Sequence, residues 1–379
     1  MNPASGGPCQ GIRNSVPALR QLGIENDVLC FDDPKSDFLG NDDFKIIAIG
    51  PVPNAYSYTP ALKPLLKKII TNYSVIIIHG LWQYTSYGTY TVWKSLKKKG
   101  ISVPRLYVMP HGMLDPYFQK APERKFKALR NSFFWALVER HVINGVDGVL
   151  FTCEQELILA KTTFPNYNPN EELNVGYGIA APPEKTSRQL QAFLEVCQGV
   201  KNSSYLLFMS RIHPKKGVDL LLKAYRLIIE EGKNPPPLVI AGPGMDTSYG
   251  AELLKLSSGL PVFFPGMLKG DRKWGALYGC EAFVLPSHQE NFGIAVVEAL
   301  ACAKPVLISN QVNIWNEIQK GNGGLIHHTT VKSTKQGIEL WIIKGAMERK
   351  RMTISAFKTY EANFTNTKFA KSLSRLNKY

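Results

Sequence analysis

The chain has 379 residues, 44% of them hydrophobic, which is enough to bury a large core and favours two domains over one. A net charge of +15 asks for an anionic partner or surface, whereas six scattered cysteines (Cys9, Cys30, Cys153, Cys197, Cys280, Cys302), with no C-x-x-C pair and no histidine cluster, indicate neither a zinc site nor a disulfide framework. The longest apolar runs, VIIIHGLW and IAVVEALACAKPVLI, are too short to span a bilayer and the amino terminus has no apolar signal region, so the expected location is the cytoplasm.

In chain order, the first feature is the glycine-rich stretch SGGPCQG, beginning at Ser5. Short β-branched runs follow at 44–50, 74–80, 105–112, 148–153 and 173–178, separated by longer helical stretches, the pattern of a parallel doubly wound sheet. The Pro-rich, polar segment GIAAPPEKTSRQ reads as a linker. The same rhythm then restarts with SYLLFMSRI at 204–212, a helix over about 218–231, and the strands of PPLVIAGPG, PVFFPGM, EAFVLPS and KPVLISN. The fold class is therefore α/β, with two Rossmann-like domains in tandem. Ligands in such sheets sit beyond the carboxyl ends of the strands, so the residues just after each strand are the informative ones.

Lysine and arginine concentrate between Lys94 and Arg140 and again in the tail from Lys332 to Lys378. In KAPERKFKALRNSFFWALVERHV a basic helical face adjoins Phe133, Phe134 and Trp135, which suits either adsorption to an anionic membrane or a solvated helix whose aromatics enter the core. Nucleic acid is disfavoured by the lack of any zinc-finger, RRM or helix-turn-helix signature. A nicotinamide oxidoreductase is disfavoured because G-x-G-x-x-G is absent. The acidic pairs in FDDP and GNDDF read as surface turns, and the sequence offers no metal-binding motif where one would be needed.

After the first strand of the second half stands SRIHPKKG, which places Arg211, Lys215 and Lys216 on a turn entering a helix, suited either to a phosphate or diphosphate or to a solvated basic surface. Downstream, SHQENFGIAVVEAL puts Glu290 in a turn, free backbone N–H groups at Asn291, Phe292 and Gly293, and Glu298 about two turns inside a helix. A carboxylate flanked by Ala and Val needs a cation or a hydroxyl pair, and a ribose diol would serve. In the first half His111 follows a strand in VMPHGML and His79 another in IIIHGLWQY, where Trp82 and Tyr84 suit either acceptor stacking or the core.

The E-x7-E segment from Glu290 to Glu298, with SRIHPKKG, the early GGPCQG loop, MPHGMLDP and FTCEQE, resembles the retaining GT-B glycosyltransferases of family 4 over nearly the whole chain, and notably bacterial, cyanobacterial-type exopolysaccharide enzymes. Ser210 stands where that family most often has glycine, and SNQVNIW replaces its usual glycine turn, a change bearing on the donor sugar and not on the reaction class. The resemblance implies an acceptor-binding domain over 1–180, a linker over 181–203, a donor-binding domain over 204–350 and a helix over 351–379 crossing back to the first domain.

By the same resemblance Arg211 and Lys216 would grip the donor diphosphate, Glu298 the ribose, and Glu290 the transferred sugar with the backbone of Asn291, Phe292 and Gly293. Gly266 and Met267 would meet the base, His111 would stand near the transferred sugar, and Gly6, Gly7, His79 and Trp82 would face the acceptor. The implied reaction is metal- and cofactor-independent hexose transfer from a nucleotide sugar, such as UDP-glucose, to a polysaccharide or lipid-linked oligosaccharide, at or near the inner face of the membrane. A nucleotide-sugar epimerase and a non-catalytic sugar-nucleotide binder are the alternatives. One expectation concerns the first domain: only MNPA precedes the glycine loop, too little for the central strand that such a loop follows, so the natural chain is expected to begin upstream with an apolar run.

Overall fold

The computed structural model describes residues 1–2, 6–52, 54–121, 124–201 and 203–377; Ser5 of the glycine-rich stretch lies outside them. The chain divides into two compact units, Met1–Gly178 with Asn366–Tyr379, and Ile179–Thr365.

The amino-terminal unit runs α1 (Gly7–Arg20), β1 (Val28–Cys30), β2 (Ile46–Ala48), α2 (Leu62–Ile69), β3 (Val75–His79), α3 (Tyr84–Lys98), β4 (Arg105–Met109), α4 (Tyr117–Lys120), α5 (Lys125–Phe134), a π-helical turn over Trp135–Glu139, α6 (Arg140–Ile143), β5 (Gly148–Phe151), α7 (Glu154–Ala160) and β6 (Glu172–Asn174). Its strands form two separate parallel sheets, β1–β2 and β3–β4–β5–β6. Only β5 is buried at every position and β4 nearly so, whereas β1 and β2 are half-exposed throughout.

The carboxyl-terminal unit runs α8 (Ser187–Val196), β7 (Leu206–Met209), α9 (Val218–Glu230), β8 (Leu238–Ala241), α10 (Ser248–Ser257), β9 (Val262–Gly266), α11 (Gly270–Gly279), β10 (Ala282–Leu285), α12 (Ile294–Ala301), β11 (Val306–Ser309), α13 (Trp315–Lys320), β12 (Gly324–His327), α14 (Val331–Ile342) and α15 (Ala346–Asn363). Its six parallel strands lie in the order β12–β11–β10–β7–β8–β9. The four central strands, β7, β8, β10 and β11, are buried along their whole length, which is why they read as unbroken apolar runs. On α9, Val218, Leu221, Leu222, Tyr225 and Ile228 recur at helical spacing and are all buried.

Two expected boundaries move. The supposed linker over 181–203 contains α8, closed at its start by a reciprocal Thr186–Gln189 capping box and packed on α11, where a Cβ on Gly275 would meet the Gln189 carbonyl oxygen at 2.0 Å. The Pro-rich composition before it disguised a helix that belongs to the second unit. The helix α15 is continuous across the expected boundary at 351, and the division falls after Thr365. Beyond it α16 (Asn366–Ser374) belongs with the first unit, burying Phe369, Ala370 and Leu373, with the Phe369 ring 5.6 Å from that of Tyr177.

The acidic pairs are more than turns. Asp42 takes a two-pronged ion pair from Arg13 on α1 at 2.7 and 2.8 Å, Asp43 pairs with Arg20 at 2.8 Å, and Asp32 receives the amine of Met1.

Candidate functional site

In the carboxyl-terminal unit three loops at the carboxyl edge of the sheet are tied together. The first follows β7, where His213 caps a short turn over Pro214–Lys216 and Nδ1 accepts the Lys215 N–H at 3.1 Å. Gly217 closes that turn at φ +69°, and a Cβ there would meet the Pro286 carbonyl oxygen at 2.3 Å, so only glycine lets this loop approach the one after β10. The second loop reciprocates: the His288 N–H donates to the Lys215 carbonyl at 2.8 Å, and the Ser287 hydroxyl lies 3.0 Å from the same oxygen. The third loop, SNQVNIW, braces Glu290 on both sides, with the Glu290 N–H donating to the Gln311 carbonyl and the Asn313 N–H to the Glu290 carbonyl, each at 2.9 Å.

This frame brings Lys216 and Glu290 into a direct ion pair; the ammonium of Lys216 is buried and Glu290 is half-exposed. Gly293, at φ +78°, is the residue from which α12 starts, and a Cβ there would lie 3.3 Å from the Glu290 side chain. The backbone N–H groups of the first turn of α12 thus open beside a charged pair, a setting that favours a bound anion. Phe292 is buried, its ring 5.6 Å from Phe364, and the Asn291 amide oxygen lies 3.5 Å from the Asn313 amide nitrogen.

Glu298 is the fifth residue of α12, just over one turn from the start, nearer than the two turns expected from sequence. Its carboxylate meets a cation, the Lys273 ammonium of α11, which stands 2.6 Å away. Burial pushes the Glu298 carboxyl up, against the pull of Lys273. Arg211 is exposed after β7 and makes no ion pair among the described residues. Gly266, at φ +75°, ends β9 with its carbonyl taken by the Gly242 N–H at 2.9 Å, and Met267 beside it is 58% exposed.

The amino-terminal unit has a second cluster. His79 ends β3 and His111 follows β4; Nδ1 of His79 lies 2.9 Å from Nε2 of His111, with the rings stacked 21° from parallel. Desolvation lowers the His79 imidazole to about 4, and desolvation with the neighbouring His79 holds His111 well below its ordinary value. His111 occupies φ +52°, and the turn is held by Glu156 of α7. That carboxylate accepts the Gly112 N–H on one oxygen, and on the other the Thr152 N–H at 2.8 Å and the Thr152 hydroxyl. Tyr177 sets its ring edge-on to His111 and donates its hydroxyl to the carbonyl of Gly7 at the start of α1, where Gly6 turns at φ +80°.

Trp82, also at positive φ (+70°), packs between Phe134 and Phe164 while its backbone N–H donates to Glu139 at 2.8 Å, so it is half core, and Tyr84 is buried core. Glu139 also accepts the Ser86 hydroxyl at 2.8 Å, yet its other oxygen is buried without a partner among the described residues, and burial raises this carboxyl to about 7. On and beyond α5 the aromatics divide. Trp135 is fully buried and Phe134 half-buried, whereas Phe126, Leu129, Phe133 and Leu137 lie 58% to 92% exposed. These four recur at three- and four-residue steps, one stripe down a helical face. Lys125, Lys127 and Arg130, exposed beside it, carry no ion pair among the described residues.

Sequence reading missed Glu156, Lys273 and Tyr177, although the stretches FTCEQE and LNVGYG contain the first and last. A glutamate that answers a backbone turn 44 residues earlier leaves no local signature.

Residues 197–359 match the family model described as Glycosyl transferases group 1. A glycosyltransferase of Methanocaldococcus jannaschii, MJ1607, is 34% identical over 121 residues, 32% of this chain and 30% of its own. The alpha-monoglucosyldiacylglycerol synthase of Streptococcus pneumoniae is 26% identical over 86% of this chain and 73% of its own. Among solved structures, Anabaena Alr3699/HepE in complex with UDP and glucose superposes with TM-score 0.70 at 16% identity, covering 98% of this chain and 95% of that one. The chain spans about a third or less of the length of the first curated relatives it matches. The fold is therefore that of the GT-B glycosyltransferases, and the match to the glycosyltransferase group 1 model falls within its second unit.

Proposed function

We propose that the protein is a retaining glycosyltransferase of family 4 that moves a hexose from a UDP-sugar to a polysaccharide or lipid-linked acceptor. The observation that carries this reading is the Lys216–Glu290 pair beside the start of α12, within the matched domain. A diphosphate displacing part of that pair would be met by the Lys216 ammonium, by Arg211 and by the α12 N–H groups, leaving Glu290 to accept sugar hydroxyls. Glu298 would accept the ribose hydroxyls, Asn291, Phe292 and Gly293 would hold the sugar through the backbone, and Gly266 and Met267 would border the base.

In the front-face reaction the acceptor oxygen forms a bond to the anomeric carbon on the side from which the diphosphate departs. The carbon–phosphate-oxygen bond breaks, and the acceptor proton passes to a phosphate oxygen. Lys216 and Arg211 offset the charge growing on the leaving group, which is electrostatic stabilisation by fixed cations. Neutral His111 would stand near the transferred sugar and polarise it, with Gly6, Gly7, His79 and Trp82 on the acceptor side. UDP in the HepE structure and the glycolipid product named for the Streptococcus pneumoniae relative support this choice of donor and acceptor class. A panel of nucleotide sugars with and without sugar acceptors tests it, the product anomer being read by proton coupling. A UDP-sugar consumed only with acceptor, giving the donor's anomeric configuration, is the expected result. Conversion of donor alone would identify an epimerase, and an inverted product would end the front-face mechanism.

The exposed stripe on α5 supports placing the acceptor at an anionic membrane surface. Phe126, Leu129, Phe133 and Leu137 would enter the headgroup boundary while Lys125, Lys127 and Arg130 meet lipid phosphates. Among the described residues no helix is long and apolar enough to cross a membrane, so this contact would be peripheral. Flotation with anionic vesicles but not neutral ones, lost in the F126S/F133S variant, is expected. Equal recovery with both vesicle types would overturn it.

A further inference from the structure

The amino-terminal unit holds a buried carboxylate that the proposed reaction does not use. Glu139 ends the π-helical turn Trp135–Glu139, a distortion found frequently at functional sites, and is fully buried. One of its oxygens accepts the Trp82 backbone N–H and the Ser86 hydroxyl, each at 2.8 Å, and the other is buried without a partner among the described residues. An apolar side chain would fill this space without the cost of desolvating a carboxylate that is half unsatisfied, so packing alone does not account for Glu139.

What Glu139 grips is a turn that the backbone does not favour. Trp82 sits at φ +70°, an outlier for a bulky side chain, and such strain persists only where the neighbours over-determine it. Four segments do so here. The Gly80 N–H donates to the Met109 carbonyl of β4 at 2.9 Å, the Leu81 N–H meets Met113 Sδ at 3.1 Å, the Trp82 N–H goes to Glu139, and the Tyr84 N–H donates to the Tyr56 carbonyl at 2.7 Å. Met113 belongs to the loop that carries His111, so the turn and the histidine pair share one frame.

The rings around this turn form a continuous row. Between ring centres, Tyr58 lies 4.8 Å from Tyr84, Tyr84 5.8 Å from Tyr56, Tyr56 5.3 Å from Phe134 and Phe134 6.3 Å from Trp82. Tyr84 is buried, whereas Tyr58 is 53% exposed and Tyr56 and Trp82 are half-exposed. Glu139 stands close enough to the row to add its charge to the burial that pushes the Tyr56 hydroxyl up to about 12. Aromatic rings partly open to solvent suit the apolar face of a sugar ring, whose hydroxyls remain free to hydrogen-bond at its edge.

We propose that Glu139 is a positioning residue for the acceptor: by holding the Trp82 N–H and the Ser86 hydroxyl it fixes the Trp82 ring in the row with Tyr56 and Tyr58, a stacking platform for a pyranose of the acceptor. The role of that sugar as acceptor rests on the transferase reading; the platform itself does not. Glu139 touches no substrate and acts through the turn.

The test follows the Trp82 indole N–H resonance, assigned through Trp82→Phe, while methyl α-glycosides of glucose, galactose and mannose are added, and then reads acceptor KM, kcat and UDP affinity in the same proteins. In the parent at least one glycoside is expected to shift that resonance. Glu139→Ala should raise both the glycoside concentration needed and the acceptor KM about tenfold, with UDP affinity held within about twofold. Glu139→Gln offers an amide oxygen to the same donors and should restore both. Glu139→Asp retracts the carboxylate by one methylene and should move both in the alanine direction, so the test does not depend on the alanine variant folding. Unchanged glycoside binding and acceptor KM in Glu139→Ala and Glu139→Asp would overturn the proposal, whatever their melting temperatures. So would a parent in which no glycoside moves the Trp82 resonance. A parent that binds glycoside at Trp82 yet transfers no sugar would remove the transferase reading and leave the platform standing.

Discussion

Nδ1 of His79 lies 2.9 Å from Nε2 of His111, so between two neutral rings one nitrogen donates and the other accepts. Adding a proton would place charge between two desolvated imidazoles. The folded His79 pKa, about 4, lies below the ordinary 6.5, so the unfolded chain binds more protons between those values. Stability contributed by the neutral pair is therefore full above about pH 6.5 and is lost as pH falls toward 4. Imidazole NMR titration should show both rings neutral through pH 6, and His111→Ala should lower kcat about 10²-fold with a smaller change in donor KM. A ring titrating near 6.5 would contradict the coupling.

Glu156 is expected to act through His111 and not on substrate. Its carboxylate is the partner of the Gly112 N–H and of the Thr152 N–H and hydroxyl, all buried. Glu156→Ala should cost about 1–3 kcal/mol for each donor left unmade and shift the His111 imidazole resonances. A drop in kcat together with that shift marks a positioning role; unchanged resonances with lost activity would point to direct contact with substrate.

How much of this was visible in advance depends on range. The strands of the carboxyl-terminal unit were legible because β-branched runs buried on both faces need no alternation, and the turn glycines 217 and 293 stood where loops meet helices. The three-residue strand β1 was too short to separate from its turn-rich surroundings. The pairs Lys216–Glu290 and Lys273–Glu298 join positions 74 and 25 apart, and no local pattern announces them. Sequence reading gave Lys216 and Glu290 separate tasks; the fold makes each the other's counter-ion before any ligand arrives. The same fold turned one aromatic cluster into three environments, with Trp135 in the core, Phe134 half-buried and Phe133 in solvent.

That mutual pairing has an energetic signature. Lys216→Ala should weaken UDP-sugar binding by about 1.5–3 kcal/mol through the lost charge-assisted bond. It also leaves Glu290 without its counter-ion, so Lys216→Ala and Glu290→Gln together should destabilise the fold by less than the sum of the two singly. Arg211→Ala, at an exposed side chain with no ion pair among the described residues, should weaken binding on the same scale with no change in melting temperature. Calorimetric titration with UDP and thermal melts of the four variants separate the two effects. Additive stabilities would mean the ion pair carries no coupling.

Glu139 gives a prediction with the opposite pH sense to the histidines. One oxygen accepts from the Trp82 backbone N–H and the Ser86 hydroxyl, the other is buried with no partner among the described residues, and burial lifts the carboxyl from 4.5 to about 7. Because the folded state holds this proton more tightly than the unfolded chain, the fold binds more protons between pH 4.5 and about 7. Stability contributed by the protonated group is full below pH 4.5 and is lost as pH rises through 7, where an unpaired buried charge must form. Glu139→Gln keeps an amide oxygen for the same two donors and carries no charge at any pH. The variant should match the parent at pH 5, exceed it at pH 8, and lose the downward slope in between, while the Trp82 turn and the α3 start remain in place. Urea melts across that range read the difference directly; parallel stability curves for the two proteins would show that Glu139 is ionised in the fold throughout.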